Sequence, residues 1–414
     1  MPDCLRITCQ GGLAVMSRKL KILSTLSEAE MQADYTQVLE GLAIKGHEVY
    51  TFLNSPTTTW DPGIPSLKIF PTKEILKLDR LSLINSLSLR AANCIQKYYI
   101  DVIYATGTRL GEGLVAGTLT RKPILCDVRN PWSIQWKDFR KGISMRTFVG
   151  HTFRRIRKFS EEKLIHKADI LVAYSRGIKQ WLVSSIGLES DKITVIPPHV
   201  DTAKFNPKLD PTKVRNKYGL GNDFLLMYVG AITHSRGMDI LVEALHRLNY
   251  DNVKVNLMLV GPLHDSVRPY INGLRSKIRA LGLTDNVMFT GYVPFEEVPE
   301  YVAATDICVV PHRPNFTYEI SPPVKILEYM ASQKPVVTTN VGIGDFIKDG
   351  ETGLIVEPDN PMALAEAIDS LLKNSAFAAQ IARNARTFVE KHLREELMID
   401  KFEKVLTSIV HHEK

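Results

Sequence analysis

Short apolar runs alternate with longer amphipathic stretches along most of the chain. In the first half, runs rich in β-branched and aliphatic residues at Lys21–Leu26, Val49–Leu53, Val102–Ala105, Ile124–Val128, Ile170–Tyr174 and Thr194–Pro197 predict strands. In the second half the same reading applies to Phe224–Val229, Val255–Val260, Val287–Thr290, Ile307–Pro311, Val336–Thr339 and Gly353–Val356. Between them, segments such as Gln32–Lys45, Asp239–Leu248 and Tyr270–Ala280 repeat apolar residues at helical spacing. Such alternation predicts an α/β protein with two doubly wound parallel sheets, each Rossmann-like. The halves separate near Phe205–Asn222, a polar stretch with Pro207, Pro211, Gly219 and Gly221. Doubly wound sheets bind ligands at the carboxyl ends of their strands, so two of them facing each other make a cleft.

The segment Ser321–Val337 holds the densest chemistry. Ser321 reads as an N-cap, with Pro322 or Pro323 in the first turn, where a missing N–H costs nothing. Val324, Leu327 and Met330 share one helical face, and Val336–Thr339 reads as the next strand. The helix start at Pro322–Val324, with Pro323 and Val324 as candidate donor contacts, offers its free N–H groups to a phosphate, and Lys325 adds positive charge. Glu328, one turn further in, reaches a ribose whose diphosphate sits on the helix end. The plainer alternative is a helix–strand unit of any α/β protein, with Glu328 on its surface.

This stretch resembles the nucleotide-sugar signature of GT-B glycosyltransferases, in particular the retaining family four, whose members carry a pattern like SPxKLxEYMAxGKPVV. The resemblance implies that Glu328 binds the donor ribose. It extends to VGAITHSRGMD, which begins at Val229 and parallels VGRLxxxKGxD, with Gly230 in the turn. Arg236 stands at the lysine position that grips the donor diphosphate, a task that suits its forked guanidinium. Ala231 replaces the usual arginine, leaving His234 or Lys325 to compensate. The family's first glutamate aligns with Ile320, so Glu319, one residue away, is either the donor-sugar contact or a loop residue. Phe289–Val293 matches FxGxV, where the backbone around Tyr292 meets the nucleotide base. In Val341–Gly353, Asp345 takes another glutamate position.

In the first half, PILCDVRNPW resembles a branch of the family that reads DxRDxW, apart from Asn130. Asp127 and Arg129 are therefore candidate acceptor-side catalytic residues beside Arg236 and Lys325; the alternative is a loop cap and an ion pair. His47 and His199 read as structural. The family's Gly-Gly loop after the first strand is absent from Ser24–Asp34, so that loop does not cradle phosphate in the usual way.

Composition narrows the reading. With 414 residues, 44% hydrophobic and 23% charged, the chain suits two or three soluble domains. Five scattered cysteines lack zinc spacing and suit a reducing, cytoplasmic setting. The first fifteen residues do not read as a signal peptide, and Met16 is a second plausible start. A net charge of +7 favours anionic partners. Residues 137–158 mix eight Lys or Arg with aromatics and suit either an anionic bilayer on the inner face of the cell membrane or a solvated helix face. No nucleic-acid-binding motif accompanies them. The absence of Asp-x-Asp agrees with chemistry that needs no metal and no cofactor beyond the nucleoside diphosphate sugar.

The resemblance implies residues 16–206 as the acceptor-side domain, 207–222 as linker, 223–393 as the donor domain, and 394–414 as a helix crossing back to the first; residues 1–15 read as an extension. It implies a retaining hexosyltransferase acting on a glycan or lipid-linked hydroxyl. Two rivals stay open, a nucleotide-sugar epimerase of the same architecture and a non-catalytic binding subunit.

Overall fold

A computed structural model describes residues 19–27, 34–54, 62–71, 86–107, 110–129, 161–248, 254–343 and 346–411. The first sheet contains β1 (Lys21–Ser27), β2 (Glu48–Asn54), β3 (Leu67–Pro71), β4 (Val102–Thr106), β5 (Ile124–Val128), β6 (Ile170–Ala173) and β7 (Ile193–Val195). The second contains β8 (Phe224–Val229), β9 (Val255–Val260), β10 (Val287–Gly291), β11 (Ile307–Val310), β12 (Val336–Thr339) and β13 (Leu354–Val356). The strand orders are 3-2-1-4-5-6-7 and 10-9-8-11-12-13, and the pairings within each are parallel.

Each order reverses direction once, between β1 and β4 in the first sheet and between β8 and β11 in the second. Loops leaving the two strands at such a point diverge to opposite faces, which opens a crevice at their carboxyl ends. β4 and β5 are buried at every position because helices cover both faces. β3 is an edge strand that the apolar pattern did not predict; its run LKIFP is short and ends in proline, which an edge tolerates.

Helix Glu395–His411 packs on the first sheet, although it follows the second in sequence. Met398, Ile399, Phe402, Leu406 and Ile409 join Ile22, Val49, Tyr104 and Leu125 in one apolar cluster. The crossing is pinned where Val200 N donates to Leu393 O at 3.1 Å and Glu395 N donates to Val200 O at 3.2 Å. His47 anchors the helix: its Nδ1 accepts from Leu20 N at 3.1 Å, and its Nε2 lies 3.0 Å from Glu403 Oε1.

Ser321 is not an N-cap. It ends a short helix, Phe316–Ile320, and its hydroxyl donates to Arg129 O across the domains at 3.2 Å. The next helix is Lys325–Ala331, with Val324 at its cap position and Ile326 N donating to Pro323 O at 3.1 Å. Pro323 and Val324 thus lie at the helix start, as expected, while Ser321 serves the domain contact instead.

Candidate functional site

The loops after β8 and β11 meet at the switch point of the second sheet. Gly230 follows β8 with φ +136°, a conformation that favours glycine. A Cβ there would lie 3.1 Å from Lys325 Cε, 3.3 Å from Lys325 Nζ and 3.1 Å from Tyr228 Oη. Lys325 therefore projects from its helix back over the turn. Of the two candidates to compensate for Ala231, Lys325 is the one at this turn, since His234 is exposed with its ring 5.7 Å from Tyr270. Burial, and then the like charge of Arg236, hold the Lys325 ammonium well below its ordinary pKa, with Glu328 opposing the shift.

Arg236 closes a one-turn 3-10 helix, His234–Arg236, that ends at Gly237 with φ +72°. A Cβ at Gly237 would fall 1.9 Å from Pro311 O, so this loop lies directly against the one after β11. The Arg236 guanidinium stacks 4.5 Å from the Tyr318 ring centroid and lies 3.2 Å from His312 Nε2 through Nη1. Arg313 ties the two loops together. Its N donates to Ser235 O, and its side chain donates to His234 O and to both oxygens of Asp239, at 2.7 and 2.8 Å. Burial raises the Asp239 pKa, but the Arg313 fork and the Tyr270 hydroxyl outweigh it and bring the carboxyl down to about 2.

Glu328 lies one turn beyond Lys325 on the same helix, and Tyr329 Oη accepts from Val229 N at 2.8 Å, locking that helix to the end of β8. Tyr292 is exposed at the rim, after Gly291 with φ +73°. Glu319 is also exposed, and its side chain has no hydrogen bond or ion pair among the described residues. Asp345, Asn130 and the basic stretch 137–158 lie outside the described residues.

Asp127 and Arg129 come together deep in the first domain. Arg129 Nε donates to Asp127 Oδ2 at 2.9 Å, Tyr104 Oη donates to the same oxygen at 2.5 Å, and both charged residues are buried. This is the geometry of the ion-pair alternative, with Asp127 Oδ1 left buried and without a hydrogen-bond partner among the described residues. What faces the second domain is the Arg129 carbonyl, through Ser321. Next to it, Ser175 Oγ donates to Ile320 O, a Cβ on Gly177 would lie 3.1 Å from Ile320 Cα, and Ile320 and Val324 pack on the first domain's core.

The sequence reading missed His312, Tyr318 and Arg313. The adjacent His312-Arg313 in a proline-flanked loop right after β11 was the available signal. Among the described residues no helix is long and apolar enough to cross a membrane.

Two facing Rossmann-like domains, with cations gathered at the switch point of the second, define the GT-B architecture. The description "Glycosyltransferase Family 4" matches residues 35–204, and "Glycosyl transferases group 1" matches residues 223–374. The chain belongs to this group-1, family-4 type of GT-B glycosyltransferase. It is 30% identical over 242 residues to a D-inositol 3-phosphate glycosyltransferase of Geodermatophilus obscurus, covering 56% of this chain and 52% of that one. It is 28% identical over 235 residues to a GDP-mannose-dependent alpha-(1-6)-phosphatidylinositol monomannoside mannosyltransferase of Mycolicibacterium smegmatis, covering 56% and 60%. The matched part spans about half the length of such curated relatives. In fold it is similar to a glycosyltransferase from Rickettsia africae, with TM-score 0.77, 21% identity, and 95% and 99% of the two chains covered. It is also similar to Anabaena Alr3699/HepE, solved with UDP and glucose, with TM-score 0.76, 20% identity, and 94% and 100% covered.

Proposed function

We propose that this protein transfers a hexose from a nucleoside diphosphate sugar to an acceptor hydroxyl on a glycan or lipid-linked molecule, with retention of anomeric configuration and without a metal. The observation that carries this reading is Lys325 folded back over Gly230 with Arg236 close enough for their like charges to interact, and Glu328 one turn along the same helix. Departure of the diphosphate builds negative charge, and two preorganised cations in a partly desolvated site stabilise it most where it is greatest. The Gly230 backbone lets the diphosphate approach. Glu328 accepts hydrogen bonds from the ribose hydroxyls, and Tyr292 stands at the rim where the base enters. The acceptor enters from the first domain, past the Ser321–Arg129 contact. Relatives named for inositol phosphate and phosphatidylinositol mannoside support a polyhydroxylated acceptor, and the GDP-mannose in one relative's name together with the UDP of the Anabaena complex supports a nucleoside diphosphate donor.

A hydrolysis and transfer screen over UDP-, GDP- and ADP-sugars, with product anomers assigned by NMR, tests the proposal. Release of nucleoside diphosphate with an α-linked product from an α-linked donor is expected. Conversion of donor alone into an epimer, or donor binding with no turnover under any acceptor, would overturn it in favour of the epimerase or the non-catalytic subunit respectively.

A further inference from the structure

We propose that His312 is a positioning residue, which holds the Arg236 guanidinium in the orientation that meets the donor diphosphate. The inference rests on the donor site above and adds to it a residue that the family signature does not contain.

The tautomer of His312 carries the point. A guanidinium has donors only, so at 3.2 Å from Arg236 Nη1 the His312 Nε2 must accept. In the neutral ring the proton then sits on Nδ1, and Nδ1 is buried with no hydrogen-bond partner among the described residues. A buried, unpaired N–H is unfavourable, and buried polar groups are rarely left so. Nothing on the Nδ1 side sets this tautomer; Arg236 does. Burial, followed by the charges of Lys325 and Arg236, drives the His312 pKa far below its ordinary value, so the ring stays neutral and Nε2 remains an acceptor.

The ring is also fixed in place. It stacks on Tyr318 at 4.7 Å with 29° between planes, and it meets the edge of Tyr228 at 6.3 Å. Its own carbonyl accepts from Thr339 Oγ1 at 2.8 Å. Tyr318 is a platform shared by His312 and Arg236. The loops bearing them are joined by the Gly237–Pro311 contact and by Arg313 N to Ser235 O at 3.0 Å. An arginine held this way has lost its rotational freedom before ligand arrives, so gripping a phosphate costs it less.

The test uses the full chain and calorimetric binding of UDP, UMP, GDP and GMP to wild type, His312→Phe, His312→Gln and Arg236→Ala. Phenylalanine keeps the stack and removes the acceptor; glutamine puts an amide oxygen near the Nε2 position. The diphosphate-to-monophosphate affinity ratio should fall about tenfold in His312→Phe, roughly 1.4 kcal/mol, and recover most of its value in His312→Gln. The Phe variant should unfold at the wild-type temperature or above, because it deletes an unpaired buried N–H. If Arg236→Ala loses the ratio and His312→Phe keeps it, the positioning role is wrong while the donor site stands. If Arg236→Ala keeps the ratio, the donor-site reading itself fails. Equal losses for mono- and diphosphates in His312→Phe would mean general damage to the fold and would also overturn the proposal.

Discussion

Binding of a nucleoside diphosphate should draw a proton onto Lys325. In the free protein the ammonium is disfavoured by burial and by Arg236, so its pKa lies well below the ordinary 10.5. A diphosphate beside Gly230 brings negative charge next to Nζ and reverses that balance. Between the depressed value and 10.5, the free protein is increasingly deprotonated while the complex stays charged. Binding in that window takes up about one proton at its limit, and affinity falls about tenfold per pH unit as pH rises. Work above about pH 7.5 keeps phosphate titration out of the signal, since its second pKa is about 6. Calorimetry in buffers of different ionisation enthalpy reads the proton count directly. Lys325→Arg keeps the charge and should bind with no proton uptake and a flat pH dependence. Wild type that binds UDP or GDP with no uptake across this range, at constant affinity, would refute the placement of Lys325 beside the phosphates.

Glu328→Ala should weaken donor binding at least tenfold without lowering the unfolding temperature, as expected for loss of charge-assisted hydrogen bonds to the ribose; an affinity within about twofold of wild type rules that role out. Gly177→Val should push Ile320 away and hold the domains apart, because even a bare Cβ would sit 3.1 Å from Ile320 Cα and Cβ. Transfer should drop about tenfold while nucleotide affinity is kept, and full transfer would show that this contact does not set the working geometry. Asp239→Asn should cost stability on the order of 2 kcal/mol near neutrality, from a carboxyl at about 2 in place of the usual 3.8. A depressed carboxyl stabilises fully above its unfolded value, so urea titrations should show the gap whole near pH 5 and about half as large near pH 3. A gap independent of pH would assign the loss to packing instead.

The strand pattern of both sheets was legible because nearly continuous apolar runs have no alternative to burial between helices. Ile124–Val128, Phe224–Val229, Val255–Val260 and Val336–Thr339 coincide with the structure residue for residue. β3 was hidden because an edge strand needs neither a long run nor two apolar faces. The placement of Arg236 in a turn and of Lys325 and Glu328 on one helix was readable because that spacing is local. Ser321 was misread because its partner, Arg129 O, is remote in sequence and in the other domain. His312 had a local signal, the His-Arg pair between prolines, but its role was not legible because it depends on Arg236 and Tyr318, which only the packing of two loops brings to it. Asp127 and Arg129 were visible as a charged pair, but their burial against Tyr104 is a property of the sheet.

The helix Glu395–His411 has a consequence for synthesis. Domains are generally completed in the order they leave the ribosome, at roughly 5–20 residues per second. Here the apolar cluster around Ile22, Val49 and Tyr104 needs Met398, Phe402 and Leu406, and Gly41 needs to be bare so that Ile399 can close on it. The first sheet therefore waits, one face covered only in part by the helix Asp34–Ile44, for roughly 10–40 s after Val195 is made, while the second sheet is translated and can close. During that interval the nascent chain displays apolar surface that chaperones bind, and the half translated last is the first to be finished.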